Sequence, residues 1–423
     1  MITLISDLHL SDDPARSTIN VPRLLGSLTA IINEARRKGV REVTLVLLGD
    51  IFETLKSEVW VNRGLRPWED CTDAHVTAVA DIVGRMINAN DAFFEGLAQL
   101  LRAQDGPLRL VYIPGNHDRP LATPMGRKGR EQLLAKLPAL RGQSQAGAAQ
   151  PSDSFPDSLV DEEHELIAQH GHEFDRANRY DHGLVAVGDA IVIEFVQRLP
   201  MRVRQRVRAD GEGDGLGFLD EMDNVRPHSL KVLMAWIDAH LAGKEKMRSR
   251  VMGEIEKALR ETLDELLSLK GKVAFGSFAG VERRAGLMLR VLRGLHGYTG
   301  LRPLARLLPD DESSPPYPDF VLDKLYMSET LGSSFRYFVC GHTHQPAAEP
   351  LDLGRVKNPV RYYLNTGTWR RVHQVAGGIM RTGKVKTFST QEVGCVLSIY
   401  NRREQSLGHR PFELHRLTMA AHE

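Results

Sequence analysis

The sequence predicts a mixed α/β fold interrupted by a large helical insertion, on three observations. The first is Val43-Thr44-Leu45-Val46-Leu47-Leu48, an apolar and β-branched run that stops at Gly49-Asp50. Such a run reads as a strand buried on both faces, as in a sheet covered by helices. The second is the order strand, helix, strand over residues 2–48, a parallel crossover unit. The third is a change of character over residues 176–335, where helical spacing replaces strand patterns.

The elements follow in order. Residues 2–6 read as the first strand, and it runs into Asp7-Leu8-His9. In an extended segment residues two apart point the same way, so Asp7 and His9 can reach one ion together. Residues 20–38 read as a helix. Pro22 suits its first turn, and Leu24, Leu25, Leu28, Ile31, Ile32 and Ala35 form its apolar face. Arg36, Arg37 and Lys38 sit at the negative end of its dipole, and Gly39 closes it. The buried strand then delivers Asp50 to its carboxyl end, where α/β sheets bind ligands.

Residues 73–103 read as one helix, stopping near Gly106-Pro107. Leu108 to Ile113 is a third short strand, and it ends in Gly115-Asn116-His117-Asp118. An amide oxygen such as that of Asn116 can ligate a divalent ion. His117 can donate to a phosphoryl oxygen, with Asp118 holding its ring. Residues 142–158 read as a loop, and a strand near 164–168 ends in His170-Gly171-His172.

The insertion carries helical spacing at 184–197, 230–242, 254–269 and 281–294. Arg198, Arg202, Arg204, Arg206 and Arg208 form a basic run in it. That run reads as a solvated face or, more sharply, as a lid attracting an anionic substrate or lipid headgroups. Strand patterns resume at 336–340 and end in Gly341-His342-Thr343-His344. Tyr362-Tyr363-Leu364 leads to Asn365-Thr366-Gly367-Thr368-Trp369, and strands at 393–400 and 411–417 make the last part β-rich, a source for a second sheet. The expected organisation is a core of 1–175 and 336–423 with a helical cap at 176–335.

Composition narrows the function. The chain has 423 residues, with 55 basic and 54 acidic side chains and a net charge of +1, so no global field favours nucleic acid or an anionic membrane. Cys71, Cys340 and Cys395 are far apart, without a Cys-x-x-Cys pair. That argues against a disulfide framework or structural zinc and for a reducing compartment. No signal-peptide pattern and no apolar run of about 18 residues is present, so the expected location is cytoplasmic.

Five strand ends thus carry Asp7/His9, Asp50, Asn116/His117, His170 and His342/His344. The set is large enough for two divalent ions sharing a carboxylate, and mixed nitrogen and oxygen ligands suit Mn, Fe, Zn or Co. Asp7-x-His9, Gly49-Asp50-x-x-Glu53, Gly115-Asn116-His117-Asp118, His170 and Gly341-His342-x-His344 resemble the five signature blocks of the calcineurin-like metallophosphoesterase superfamily. The resemblance implies a two-sheet β-sandwich flanked by helices, with the ions at its strand ends. It implies one ion on Asp7, His9, Asp50 and His344, and another on Asp50, Asn116, His170 and His342. It further implies phosphoester hydrolysis by a metal-bridged hydroxide, with manganese the leading metal, His117 assisting the transition state and Asp118 orienting it. Glu53 stands where the family often has Asp.

The insertion between His170 and Gly341, the stretch His170-Gly171-His172-Glu173-Phe174 and the Asn365-x-Gly367-x-Trp369 segment resemble the UDP-2,3-diacylglucosamine diphosphatase branch. That branch typically has Arg where this chain has His117, and a much shorter cap. The expected substrate is a phosphodiester or pyrophosphate of a phosphorylated small molecule or phospholipid-like compound, with Arg179, Tyr180, His182 and Asn365 as its contacts and a peripheral membrane contact through the basic cap. Two other readings compete. A DNA-directed nuclease is disfavoured by the neutral charge and by the cap preceding the last histidine block. A non-catalytic binding protein of the same fold is disfavoured by the complete ligand set.

Overall fold

The computed structural model describes residues 1–16, 18–102, 106–141, 155–175, 178–180, 186–208, 216–226, 230–242, 253, 257, 261, 335–352, 360–375 and 388–420. The chain divides into two compact units. The first comprises Met1–Asp175, Pro315–Arg370 and Val393–Thr418, and the second Arg176–Ser314, Arg371–Glu392 and Met419–Glu423.

The first unit opens with β1 (Ile2–Ile5) and the two-residue β2 (Leu10–Ser11), followed by α1 (Val21–Arg37). Asn20 caps α1 by accepting from the Arg23 N–H at 3.1 Å, and Leu24, Leu28, Ile32 and Ala35 are its buried stripe. Then come β3 (Val43–Leu48), β4 (Phe52–Glu53) and α2 (Glu58–Arg63). The helix expected over 73–103 is two helices, α3 (Asp73–Ala89) and α4 (Asp91–Arg102). Asn90 breaks it: its side-chain amide donates to Met86 O at 2.9 Å and to Ser11 O at 2.8 Å, which ends one helix and ties it to β2. Next are β5 (Leu108–Ile113), the one-turn α5 (Arg119–Ala122), α6 (Arg127–Lys136), β6 (Ser158–Asp161) and β7 (Leu166–Gln169).

Later strands complete both sheets of this unit. They are β9 (Tyr337–Cys340), β10 (Pro346–Asp352), β11 (Arg361–Thr366), the 393–399 portion of the strand Phe388–Ile399, and β14 (Phe412–Ala420). β5, β3 and β1 run parallel, with residues 397–399 antiparallel to β1. The second sheet has the order β10-β11-β9-β7-β6, with three parallel central strands and antiparallel edges. One apolar cluster takes side chains from both sheets: Leu4, Val46, Leu48, Val111 and Ile113 from the first, Leu166, Val339 and Leu364 from the second. The parallel strands deliver their carboxyl ends to a common place, which is where the expected ligands stand.

The second unit has its own core. α7 (Val187–Ile191) passes through a π-helical stretch, Val192–Gln197, into α8 (Arg198–Arg208). β8 (Val225–Arg226) pairs in parallel with β12 (Arg371–Val375), which in turn pairs with residues 388–392 of β13 (Phe388–Ile399). α9 (Leu230–His240) contributes Val232, Trp236 and Ile237 to a cluster with Leu199, Val203, Phe218 and Met222. The segment 371–392 belongs here because its partner strand is β8 and because the Trp236 ring lies 4.3 Å from that of His373. Four arginines of α8 meet acids of the same unit. Arg204 forks onto Asp220 at 2.6 and 2.8 Å, Arg198 reaches Glu194 at 3.0 Å, and Arg202 and Arg206 reach Glu261 at 3.5 and 2.6 Å. The helical segments expected at 254–269 and 281–294 lie outside the described residues apart from 257 and 261. No described helix is long and apolar enough to cross a membrane.

Candidate metal centre

All seven expected ligands lie in the first unit, at the ends of β1, β3, β5, β7 and β9, and the fold brings them together. Three groups have donor atoms within 4.8 Å of one another: Asp7, His9 and His344; His9, Asp50 and His117; Asp50, His170 and His342. Asp7, Asp50 and His170 are essentially inaccessible, whereas the side chains of His117, His342 and His344 are 14 %, 10 % and 11 % exposed. The cluster is therefore open on the side of those three rings.

The backbone here is unusual. Of six described non-glycine residues with positive φ, five are expected ligands: Asp7 at 54°, His9 at 49°, Asp50 at 50°, His342 at 67° and His344 at 59°. Each left-handed residue costs on the order of 1 to 3 kcal/mol, less for Asp and His than for bulky residues. The chain turns back sharply at each strand end and aims successive side chains inward. Three motif glycines allow the close approach. A Cβ at Gly49 (φ 79°) or Gly115 would strike the His170 ring, and one at Gly341 would strike Ser6 and Asp7.

Hydrogen bonds hold the histidines by one nitrogen and leave the other turned inward. His9 Nδ1 is 2.9 Å from Glu53 Oε2, and His117 Nδ1 is 2.8 Å from Glu53 Oε1. His170 Nδ1 donates to Leu48 O at 2.9 Å. A carboxylate or carbonyl only accepts, so the neutral rings of His9 and His170 carry their proton at Nδ1 and present a lone pair at Nε2. Those lone pairs face more acceptors. His170 Nε2 is 3.2 Å from Asp50 Oδ2, and His9 Nε2 is 3.8 Å from the same oxygen. His344 Nε2 lies 3.2 Å from Asp7 Oδ1 and 3.1 Å from His9 Nε2. Asp7 Oδ1 and His170 Nε2 are buried without a hydrogen-bond partner.

Such a convergence of lone pairs is unfavourable unless positive charge sits among them. The titration behaviour says the same. Burial opposes an imidazolium at His170, yet Asp50 and Asp7 push its pKa up to about 10. Burial also opposes charge at His117, and Glu53 and Asp50 raise its pKa to about 9. Asp7 is pushed up by burial and by the neighbouring Asp50 charge, although His170 and His9 act against this. Asp50 is held well below the carboxylate range because His170 and His117 outweigh its burial. The residues fit divalent cations: paired carboxylates, an amide oxygen and inward imidazoles fixed by outer acceptors.

Two sequence expectations are corrected. The His117 ring meets Glu53 at 2.8 Å, not the expected Asp118. The Asp118 carboxylate instead accepts from the backbone N–H groups of Phe52 (2.7 Å), Ile51 (3.2 Å) and Gly115 (3.2 Å), locking the two motif loops together. Burial and the Asp50 charge raise its pKa to about 7. Asn365, expected to contact substrate, has its side chain turned into the protein. It is fully buried, donating to Gly341 O and Tyr363 Oη at 2.7 Å each and accepting from Gly367 N at 2.9 Å, so it supports the Gly341 turn. Arg179 and Tyr180 fall in the second unit, where the Tyr180 hydroxyl donates to Asp189 at 2.7 Å. His182 lies outside the described residues.

Glu53 is the functional residue that sequence reasoning passed over. Its strand β4 pairs with β2, setting Ser11 opposite Glu53 and bringing the carboxylate beneath His9. His117 and Lys56 overcome its burial and keep it well below the carboxylate range. The family model for calcineurin-like phosphoesterase matches residues 1–240, more than half of the chain. His342 and His344 lie beyond that match and reach the cluster through β9. No curated protein matches the chain significantly.

Proposed function

The chain belongs to the calcineurin-like phosphoesterase family, and on that premise we propose that it hydrolyses a phosphodiester or pyrophosphate at a dinuclear metal centre. Membership makes it a phosphoesterase hydrolase. The observation that carries the finer reading is the convergence of inward lone pairs from Asp7, His9, Asp50, Asn116, His170, His342 and His344. Asp7, His9, Asp50 and His344 would hold one ion, and Asp50, Asn116, His170 and His342 the other. The donor groups Asp7-His9-His344 and Asp50-His170-His342 support this split. Two bound ions, with manganese favoured, would supply Lewis-acid polarisation of the phosphoryl group and an activated water near neutral pH.

The remaining chemistry belongs to the side chains. His117 keeps its proton at Nδ1 on Glu53 and, as the imidazolium, donates from Nε2 to a phosphoryl oxygen as negative charge builds there. Glu53 fixes His9 and His117 in one tautomeric frame, and Asp118 fixes the loops that carry Asp50 and Asn116. We read the core as a two-sheet sandwich and residues 176–335 as a helical cap that selects the substrate. Support for the cap comes from its place in the sequence between His170 and His342 and from its own apolar core. The same place resembles the UDP-2,3-diacylglucosamine diphosphatase branch, so a phospholipid-like diphosphate is the leading substrate class. The ion pairs of α8 favour a structural role for its arginines over a membrane contact. Three free cysteines accord with a cytoplasmic location.

The test is hydrolysis by protein reconstituted with Mn, Fe, Zn or Co, offered an aryl phosphodiester, an aryl monoester, UDP-diacylglucosamine and single-stranded DNA. Turnover of a diester or the UDP-lipid, abolished by chelation, is the expected result. Metal-loaded protein inert toward every phosphoester would overturn the reading.

A further inference from the structure

Three hydrogen-bonding contacts to described residues place His342. Its backbone N–H donates to Asp7 Oδ2 at 3.0 Å, its Nδ1 lies 3.1 Å from Asn116 Oδ1, and its Nε2 lies 3.0 Å from Asp175 Oδ2. Asp175 reaches it from a short helical turn after His170, His172–Phe174, which the Asp175 N–H closes on His172 O at 3.1 Å. We propose that Asp175 is the positioning residue of His342 and that it sets the affinity of the second ion site. The proposal rests on the dinuclear reading above.

The reason is tautomeric. A neutral imidazole has one donor and one acceptor nitrogen. An ionised Asp175 only accepts, so it places the proton of His342 at Nε2. Nδ1 then offers its lone pair beside Asn116 Oδ1, and both atoms remain available to a cation. Without Asp175 the proton is free to move to Nδ1, where it would form a hydrogen bond to Asn116 Oδ1. That bond occupies both donors at once, and the site on Asp50, Asn116, His170 and His342 loses two of its four ligands. Asp7, His9 and His344 are untouched by this exchange. Asp175 thus stands to His342 as Glu53 stands to His9 and as Leu48 O stands to His170. Outer acceptors of this kind typically change metal affinity about 10- to 100-fold. The Asp175 side chain is 34 % exposed, so its replacement leaves no sealed cavity.

The experiment is a metal titration of the full chain with Mn, after removal of bound ions, for the natural protein and the variants Asp175→Ala and Asp175→Asn. Two ions per natural chain are expected. Asp175→Ala should keep one ion at the natural affinity and bind the other about 10- to 100-fold more weakly. Asp175→Asn should fall between them, because its amide oxygen can still accept. Imidazole nitrogen resonances of the metal-free protein give the second readout: His342 should change from the Nε2–H to the Nδ1–H tautomer in Asp175→Ala, which mere loosening of the loop would not produce. If Asp175→Ala binds both ions as the natural chain does, or weakens both equally, the positioning role is overturned. If the natural chain binds no ion, the dinuclear reading falls, and the role of Asp175 with it.

Discussion

Strand β1 begins in one buried polar cluster and ends in another, and the two are built on opposite principles. At its start the Met1 ammonium meets Glu404, and His164 lies 2.9 Å from Asp161 and 3.5 Å from Glu404. The Glu404 carboxylate also accepts the Asn401 N–H at 2.9 Å. The opposite charges cancel within the chain, although His164 Nε2 makes no hydrogen bond. At its end Asp7 meets Asp50, His170 and His344 with lone pairs directed at lone pairs, on a backbone strained at five residues. The first cluster is balanced in charge by itself. The second has an excess of inward acceptors that the proposed cations would balance, on a backbone already held in the required turns.

The sharpest way to break this contrast is Asp50→Ala. In the self-balanced cluster, removing an acid leaves a buried cation unpaired and should destabilise. In the metal centre, Asp50 is the acid shared by both proposed ion sites. Asp50→Ala should abolish metal loading and lower turnover by at least about 10³-fold. The metal-free variant should also melt lower than the metal-free natural protein, since the His117 N–H and the His170 ring lose Asp50 as their partner. Retained turnover, measured on the substrate panel with ion content determined in parallel, would refute the assignment of Asp50.

Glu53→Gln sharpens the comparison from the outer layer. An amide carbonyl accepts one proton well, but it does not balance both His9 and His117 as a carboxylate does. Turnover should fall about 10²-fold, chiefly in kcat, through loss of the His117 imidazolium. Because burial alone would depress the pKa of His117, this variant should also move the alkaline limb of the pH–rate profile downward. An unchanged limb would detach His117 from the reaction.

Ligand binding supplies the third contrast. A cluster that awaits cations gains stability from them, whereas the self-balanced cluster does not. Excess Mn at about 100 times its Kd should stabilise the natural fold by about 2.7 kcal/mol per site. Thermal unfolding with and without chelator checks this. Asp50→Ala should show no such shift.

Much of this centre was legible in the sequence, and the limits have physical causes. Asp7, His9, Asp50, Asn116, His170, His342 and His344 each follow an apolar strand, and a parallel sheet gathers strand ends; the strand pattern singled these residues out, and the family resemblance implied their division between two ions. Glu53 and Asp175 were harder because their roles depend on which nitrogen of a distant ring they meet. The β2 and β4 segments that place Glu53 are two residues long and carry no readable period. Asp118 was misread because Gly-Asn-His-Asp suggests a side-chain partner, whereas three backbone N–H groups from two loops converge on it. The break at Asn90 was hidden by apolar spacing that continues across it, and it exists because Ser11 offers a carbonyl from elsewhere in the fold.

The smallest expected effect lies at the quiet end of β1. The pKa of His164 is raised: its burial works against the charge, but Asp161 and Glu404 prevail. Asp161 and Glu404 are lowered, again against burial, chiefly by His164. A histidine with a raised folded pKa contributes fully below its unfolded value near 6.5, and that contribution fades as the pH climbs through the folded pKa. The acids contribute above their unfolded values of 3.8 and 4.5, and that contribution is lost as the pH falls through their lowered folded pKa values. Near pH 6 all three partners are charged in the fold. His164→Ala should therefore cost most there, within about 1 kcal/mol for a partly solvated network. By pH 9 the deficit should shrink to that of a neutral hydrogen bond. Denaturant titration of both proteins at the two pH values measures it. A deficit that grows toward pH 9 would mean that the neutral ring is the stabilising form, and that this cluster too is less self-balanced than its geometry indicates.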